Sequence, residues 1–226
     1  MLRVAKRNPV DGSGDTLYGT AYNGGSSGYG TVFKVNTNGA GFTTLHSFTA
    51  AFTNAAGAYT NSDGANPEAG LIISGSTLYG TAEHGGSSGY GAVFKVNTDG
   101  TGFTNLHSFA ASHTNNDGAY TNSEGTHPIE FAGLILSGST LFGSANYGGS
   151  SGNGTVFALS TNGTAFTTLH NFTATDPVTG FNNDGANPFA GLVLSENTLY
   201  GTAESGGSSG NGTVFSLSLG QSACRD

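Results

Sequence analysis

Short apolar blocks alternate with polar, glycine-rich gaps along the whole chain, and the blocks recur. Residues 16–50, TLYGTAYNGGSSGYGTVFKVNTNGAGFTTLHSFTA, set the pattern. Leu17, Leu78, Leu141 and Leu199 open four copies, 61, 63 and 58 residues apart. From each of these leucines to the glycine before VF (Gly30, Gly91, Gly154, Gly212) is 13 residues. To the leucine of the LH pair (Leu45, Leu106, Leu169) it is 28 in the three copies that reach it. From the glycine of AGL (Gly70, Gly133, Gly191) to the next opening leucine it is 8. All length variation therefore falls between LH and AGL. Fixed spacing marks a rigid unit with one elastic loop, and a period near 60 points to a stacked or circular array.

Each copy reads as four strands. In the second copy these are AGLIIS (69–74), TLYGTA (77–82), AVFKVNT (92–98) and FTNLHSF (103–109). Gly75-Ser76 and Asp99-Gly100 are tight turns, because such pairs adopt the positive φ that hairpins need. The 3.6-residue period of a helix is absent. Alternation is imperfect: Phe33 and Val35 oppose Val32, while strict counting puts Phe42 and Phe48 on one face and Leu45 on the other. Sheets that are apolar on both faces must be covered on both, which predicts an all-β β-propeller. A β-trefoil is the runner-up, although it wants three shorter repeats. The last copy stops after TVFSLSL (213–219), without its fourth strand. LRVAKR (2–7) is assigned to that place, giving four blades of four antiparallel strands closed by the N-terminal strand. The whole chain, 1–226, is then one domain with repeats starting near 16, 77, 140 and 198. Closure through a second chain is the alternative to a monomer.

Composition narrows the function. The net charge is −8, with only six Lys plus Arg. Such a surface repels phosphate backbones and anionic lipid, so nucleic acid is not an expected partner. No apolar run reaches the roughly 18 residues that span a bilayer, so membrane insertion is not expected either. MLRVAKRNPV is too polar for a signal peptide. Cys224 is the one cysteine, so no internal disulfide forms.

The blocks LYGT-x3-GG-x4-G-x-VF, LH-x-F, DGANP and AGL together resemble the Gloeo/Verruco tandem repeat, over residues 16–219. Its members are secreted bacterial proteins, often with a C-terminal sorting signal. The resemblance implies an extracellular or cell-surface location and supplies no catalytic residues. LFGS (141–144) for LYGT and EGTHP (124–128) for DGANP depart from the pattern, and no sorting signal follows Gly220.

Chemistry is expected on the loops. A propeller places the GGSSG loop and the elastic segment on one rim, with only tight turns opposite, and function usually sits on loops held by a rigid scaffold. The repeated His46, His107 and His170 read as hydrogen-bonded scaffold residues. Asp63 and Asp184, in N-x-D-G-x-N, read mainly as turn formers. With Asp117 they are the weak candidates for a metal such as calcium, although the spacing of a full calcium loop is missing. No cofactor is otherwise expected. The unrepeated loop residues Tyr22, Tyr29, Glu83, His84, Tyr90, Asn146, Tyr147 and Glu204 suit a carbohydrate or another neutral polar ligand. That makes a binding module the first reading. The alternative is a secreted hydrolase or lyase of carbohydrate or ester bonds. Its single asymmetric site, with or without a metal, would draw on His84, His127, Glu83, Glu124 and Glu130. A purely structural repeat is the third reading.

Overall fold

The computed structural model describes residues 2–8, as backbone, together with 16–55, 57–128 and 133–220. The described residues contain no helix. The chain divides into two compact units, Met1–Ser108 and Phe109–Asp226.

The first unit holds two four-stranded antiparallel sheets. Strands β1 (Leu2–Asn8), β2 (Thr16–Ala21), β3 (Thr31–Asn36) and β4 (Thr43–Ser47) form the first, in that order. A two-stranded hairpin, β5 (Phe52–Thr53) and β6 (Tyr59–Thr60), lies in the elastic segment. Strands β7 (Ile72–Ser74), β8 (Thr77–Ala82), β9 (Ala92–Asn97) and β10 (Thr104–Ser108) form the second sheet. The second unit repeats the plan. The hairpin β11 (His113–Thr114) and β12 (Tyr120–Thr121) precedes β13 (Ile135–Ser137), β14 (Thr140–Ala145), β15 (Thr155–Ser160) and β16 (Phe166–Asn171). The last sheet comprises β17 (Ala186–Pro188), β18 (Val193–Ser195), β19 (Thr198–Ser205) and β20 (Thr213–Ser218), with β19 paired to all three others.

Two expectations change. The N-terminal strand does not pair with residues 213–219. β1 runs antiparallel to β2, with Leu2 opposite Ala21 and Asn8 opposite Thr16. The first copy has no AGL strand to fill its inner edge, and β1 stands only a few residues away in sequence. Closing that short loop costs far less entropy than reaching the far end of the chain. The second change concerns FTTLHSF. His46 pairs with Val32 and Thr44 with Phe33, so Leu45 is an extra, bulged residue. Leu106 and Leu169 are bulged in the same way. One inserted residue reverses the parity of everything after it. Phe42 therefore stacks on Phe33 on one side of the sheet, with ring centroids 5.3 Å apart, while Phe48 turns to the other side beside His46.

That inversion builds the core. In the first unit, Tyr18, Val32 and Phe48 of the first sheet pack against Leu71, Leu78, Phe94 and Val96 of the second. Phe48 and Phe94 meet edge to face at 5.3 Å, and Phe103 stacks on His46 at 3.5 Å. Phe142, Val156 and Phe172 pack against Leu192, Leu199 and Phe215 in the second unit. The glycine of LYGT makes this packing possible. A Cβ on Gly80 would lie 2.6 Å from both Leu71 and the Phe94 ring. One on Gly143 would meet the Phe157 ring at 2.6 Å and Leu134 at 2.9 Å.

Candidate functional site

The GG loop and the elastic segment lie side by side within each unit, and a repeated asparagine joins them. The amide of Asn61 donates to the Gly86 carbonyl at 3.1 Å. Its side-chain Oδ1 accepts from the amides of Gly64 (2.9 Å) and Gly86 (2.8 Å). Nδ2 donates to the carbonyls of Thr49 (3.0 Å) and Gly64 (2.7 Å). All four hydrogen-bonding positions of the carboxamide are thus used. Asn122 makes the same set to Gly125, Gly149 and Ala110, and Asn182 to Gly185, Gly207 and Thr173. The sequence showed these asparagines only as part of a faint calcium-like string. Their role became legible only once both loops stood together.

The GG loop is also tied to itself. The amides of Gly30, Gly91, Gly154 and Gly212 donate to the carbonyls of Gly24, Gly85, Gly148 and Gly206 at 3.0–3.1 Å. Gly30 sits at φ 102°, and a Cβ there would strike Pro67 at 2.5 Å and the Ala21 carbonyl at 2.7 Å. No other residue fits that position.

The repeated histidines meet the acids of N-x-D-G. His46 Nε2 lies 2.9 Å from Asp63 Oδ2, and His170 Nε2 lies 2.9 Å from Asp184 Oδ2. Thr49 donates its amide (3.0 Å) and its hydroxyl to Asp63, and Thr173 treats Asp184 alike. Copy two replaces both members together. Ala110 stands where Thr49 does, and Glu124 reaches the Ala110 amide at 2.9 Å. A carboxylate longer by one methylene compensates for the lost threonine side chain.

Burial pushes the Asp63 carboxyl up, but hydrogen bonds from His46 and Thr49 outweigh it and hold the group below its ordinary 3.8. A depressed folded pKa gives stability that is complete above the unfolded value and is lost as pH falls through the folded one. Urea midpoints should therefore drop as pH is lowered below about 4. Asp63→Asn should flatten that drop while lowering the midpoint at neutral pH. A variant with an unchanged acid profile would contradict the assignment.

The remaining sequence candidates separate. Tyr22 and Tyr29 present their carbonyls to Asn66, whose Nδ2 and amide donate at 3.1 and 2.8 Å. The Tyr29 hydroxyl donates to the Ala51 carbonyl at 3.4 Å. The Glu83 amide donates to the Asn66 carbonyl at 3.2 Å, which gathers Tyr22, Tyr29 and Glu83 around one residue. His84 Nε2 stands 3.6 Å from the Glu83 carboxylate, and its backbone bridges Ala65. Tyr90 is half-buried at the end of the same loop, bridged to Gly85.

In the second unit Asn146 is buried and its amide donates to the His127 carbonyl at 3.3 Å. Tyr147 is exposed, with its ring 6.0 Å from that of His127. Glu204 is exposed on β19. Asp117 sits at the exposed hairpin tip, its amide donating to Asn115 Oδ1 at 2.9 Å. Glu130 lies outside the described residues. Among the described residues, no three His, Cys, Asp or Glu side chains group to hold a metal.

His127 proves to be a repeat position. Asn66, His127 and Asn187 each precede a proline and share positive φ values of 57°, 53° and 58°. Asn is at home in that region. His127→Asn is therefore expected to preserve or raise the melting temperature. A loss of more than about 2 kcal/mol would contradict the equivalence.

Residues that sequence reading passed over stand beside the GG loops. Tyr59, Tyr120 and Phe181 are 61%, 65% and 44% exposed. Gly89 lies next to the Tyr59 backbone, Gly152 next to that of Tyr120, and Gly210 against the Phe181 ring, 3.3 Å from where its Cβ would be. The signal was present in GAYTN, GAYTN and TGFNN, but the aromatic stands two residues before Asn61 and Asn122 and one before Asn182, so no fixed spacing marks it.

These features define an all-β, glycine-looped tandem repeat. The chain belongs to the Gloeobacter/Verrucomicrobia repeat family, matched over residues 4–121 and 51–225. No curated relative matches the sequence. Among solved structures it is similar to a nidogen/laminin complex, at 14% identity and TM-score 0.42, over 90% of this chain and 72% of that one. It is also similar to a gluconolactonase from Xanthomonas campestris, at 15% identity and TM-score 0.41, over 90% of this chain. This chain spans 58% of that enzyme's length. Likeness at this level concerns strands and sheets, and function belongs to the site.

Proposed function

We propose that this protein is an extracellular, propeller-type binding module for carbohydrate, with a weak site at each of three glycine loops. The supporting observation is an exposed aromatic residue beside a hydrogen-bonded glycine loop in three copies, Tyr59 and Tyr120 through their backbones and Phe181 through its ring. Aromatic faces take the apolar face of a sugar ring. Glycine loops let hydroxyls approach the backbone, and a net charge of −8 disfavours phosphorylated ligands. Each site should bind near millimolar, about 4 kcal/mol, with several sites acting together on a polymer.

The hydrolase reading draws less support, because two of its candidates serve the scaffold. Glu124 accepts the Ala110 amide, and His127 holds the turn before Pro128.

A glycan array followed by titration of the best oligosaccharide tests the proposal. Tyr120→Ala should weaken binding at its own loop by about 1 kcal/mol, roughly fivefold, with unchanged melting. An unaltered titration, or turnover of the sugar, would overturn it.

A further inference from the structure

The last sheet presents a face that its sister copies bury. On β19 and β20, Tyr200 pairs with Ser216 and Thr202 with Val214, and all four are exposed. Val214 is 76% exposed, whereas Val32 and Val156, at the same repeat position, are fully buried. Both units show what covers such a face. Val32 packs against Leu71, Leu78 and Phe94 of the following sheet, and Val156 against Leu192 and Leu199. The cover is thus the Leu–Leu–Phe side of a next copy. The first sheet carries the corresponding side. There Phe42, matching Phe103, is 63% exposed and Leu17, matching Leu78, is half-buried, while Phe33, matching Phe94, is already covered.

Charge selects the same pairing. Residues 1–108 hold five Lys plus Arg against six Asp plus Glu, a net −1, and three of the five lie on β1 as Arg3, Lys6 and Arg7. Residues 109–226 hold one against eight, a net −7. Two second units would repel each other, while a first unit with its cationic edge strand suits a second unit.

We infer that a second copy of this chain seats its first sheet on the exposed Tyr200–Val214 face, head to tail, repeating the junction that already joins sheets within each unit. Such an interface is heterologous, so it extends into a ring or a longer array rather than stopping at a symmetric pair.

Sedimentation equilibrium of the full chain up to about 100 µM tests this, since a junction of this kind should assemble in the micromolar range. Wild type should form concentration-dependent oligomers that salt weakens. Val214→Asp and Phe42→Asp each spoil one end and should each be monomeric, with association about 100-fold weaker. Mixed in equal amounts, they should form a dimer and nothing larger, because one intact junction remains. Circular dichroism should show both variants folded, although Phe42→Asp gives up the stacking on Phe33; Val214→Thr, a milder variant at the exposed end, should weaken association in the same direction. Monomeric wild type throughout, self-association of Phe42→Asp alone, or failure of the mixture to dimerise would each overturn the inference.

Discussion

Asn61→Asp should cost about 3 kcal/mol, the largest loss expected from any single isosteric change in the repeat. The substitution keeps the shape and the Oδ1 acceptor for the amides of Gly64 and Gly86. It replaces two donors with an anionic oxygen facing the carbonyls of Thr49 and Gly64, at 3.0 and 2.7 Å. Two carbonyls lose their partner, and like partial charges meet in a partly buried site. Protonating the new carboxyl restores one donor, so the gap to wild type should narrow as pH falls below about 4. Asn122→Asp and Asn182→Asp should behave alike. Urea melts at neutral and acid pH check this, and a loss under about 1 kcal/mol would show that the clamp is not what holds the two loops together.

Gly80→Ala should cost about 3 kcal/mol for a single added methyl. This glycine does not have positive φ, so the effect is one of space alone. The new Cβ would stand 2.6 Å from Leu71 Cδ2 and from Phe94 Cζ. Both side chains are buried in one cluster with Leu78 and Phe48, so neither can retreat without displacing the next. The double variant Gly80→Ala, Phe94→Leu should recover part of the loss, because the shorter side chain leaves room for the methyl. Thermal melts of the three proteins decide it. Equal stability of Gly80→Ala and wild type would mean that the inter-sheet packing is looser than described.

Much of this architecture was legible because it was repeated. The pattern marks the strand 77–82 with the bounds the structure gives, and its 92–98 ends one residue later than β9. Tight turns at Gly75 and Asp99 carried their own chemistry. What failed was what periodicity cannot encode. A bulge at Leu45 leaves no mark in residue type, yet it moved Phe48 to the opposite face from Phe42. The partner of β1 depended on which sheet edge stood nearest, and composition does not state that. The hairpins carrying Tyr59 and Tyr120 hid in a segment whose length varies. The Asn61 clamp joins residues up to 25 positions apart, and no local spacing shows it. His127 looked singular because histidine replaces the asparagine of the sister copies; its φ shows the kinship.

On this proposal, equivalent loops of successive repeats share one ligand chemistry. Titrating the full chain with the best-binding oligosaccharide, while following amide NMR shifts, tests it most directly. Shifts are expected in the glycine loops 85–91, 148–154 and 206–212 and in the neighbouring residues Tyr59, Tyr120 and Phe181, with similar affinities at the three loops. Shifts confined to the tight turns at Gly75 and Gly138, or to a single copy, would contradict it.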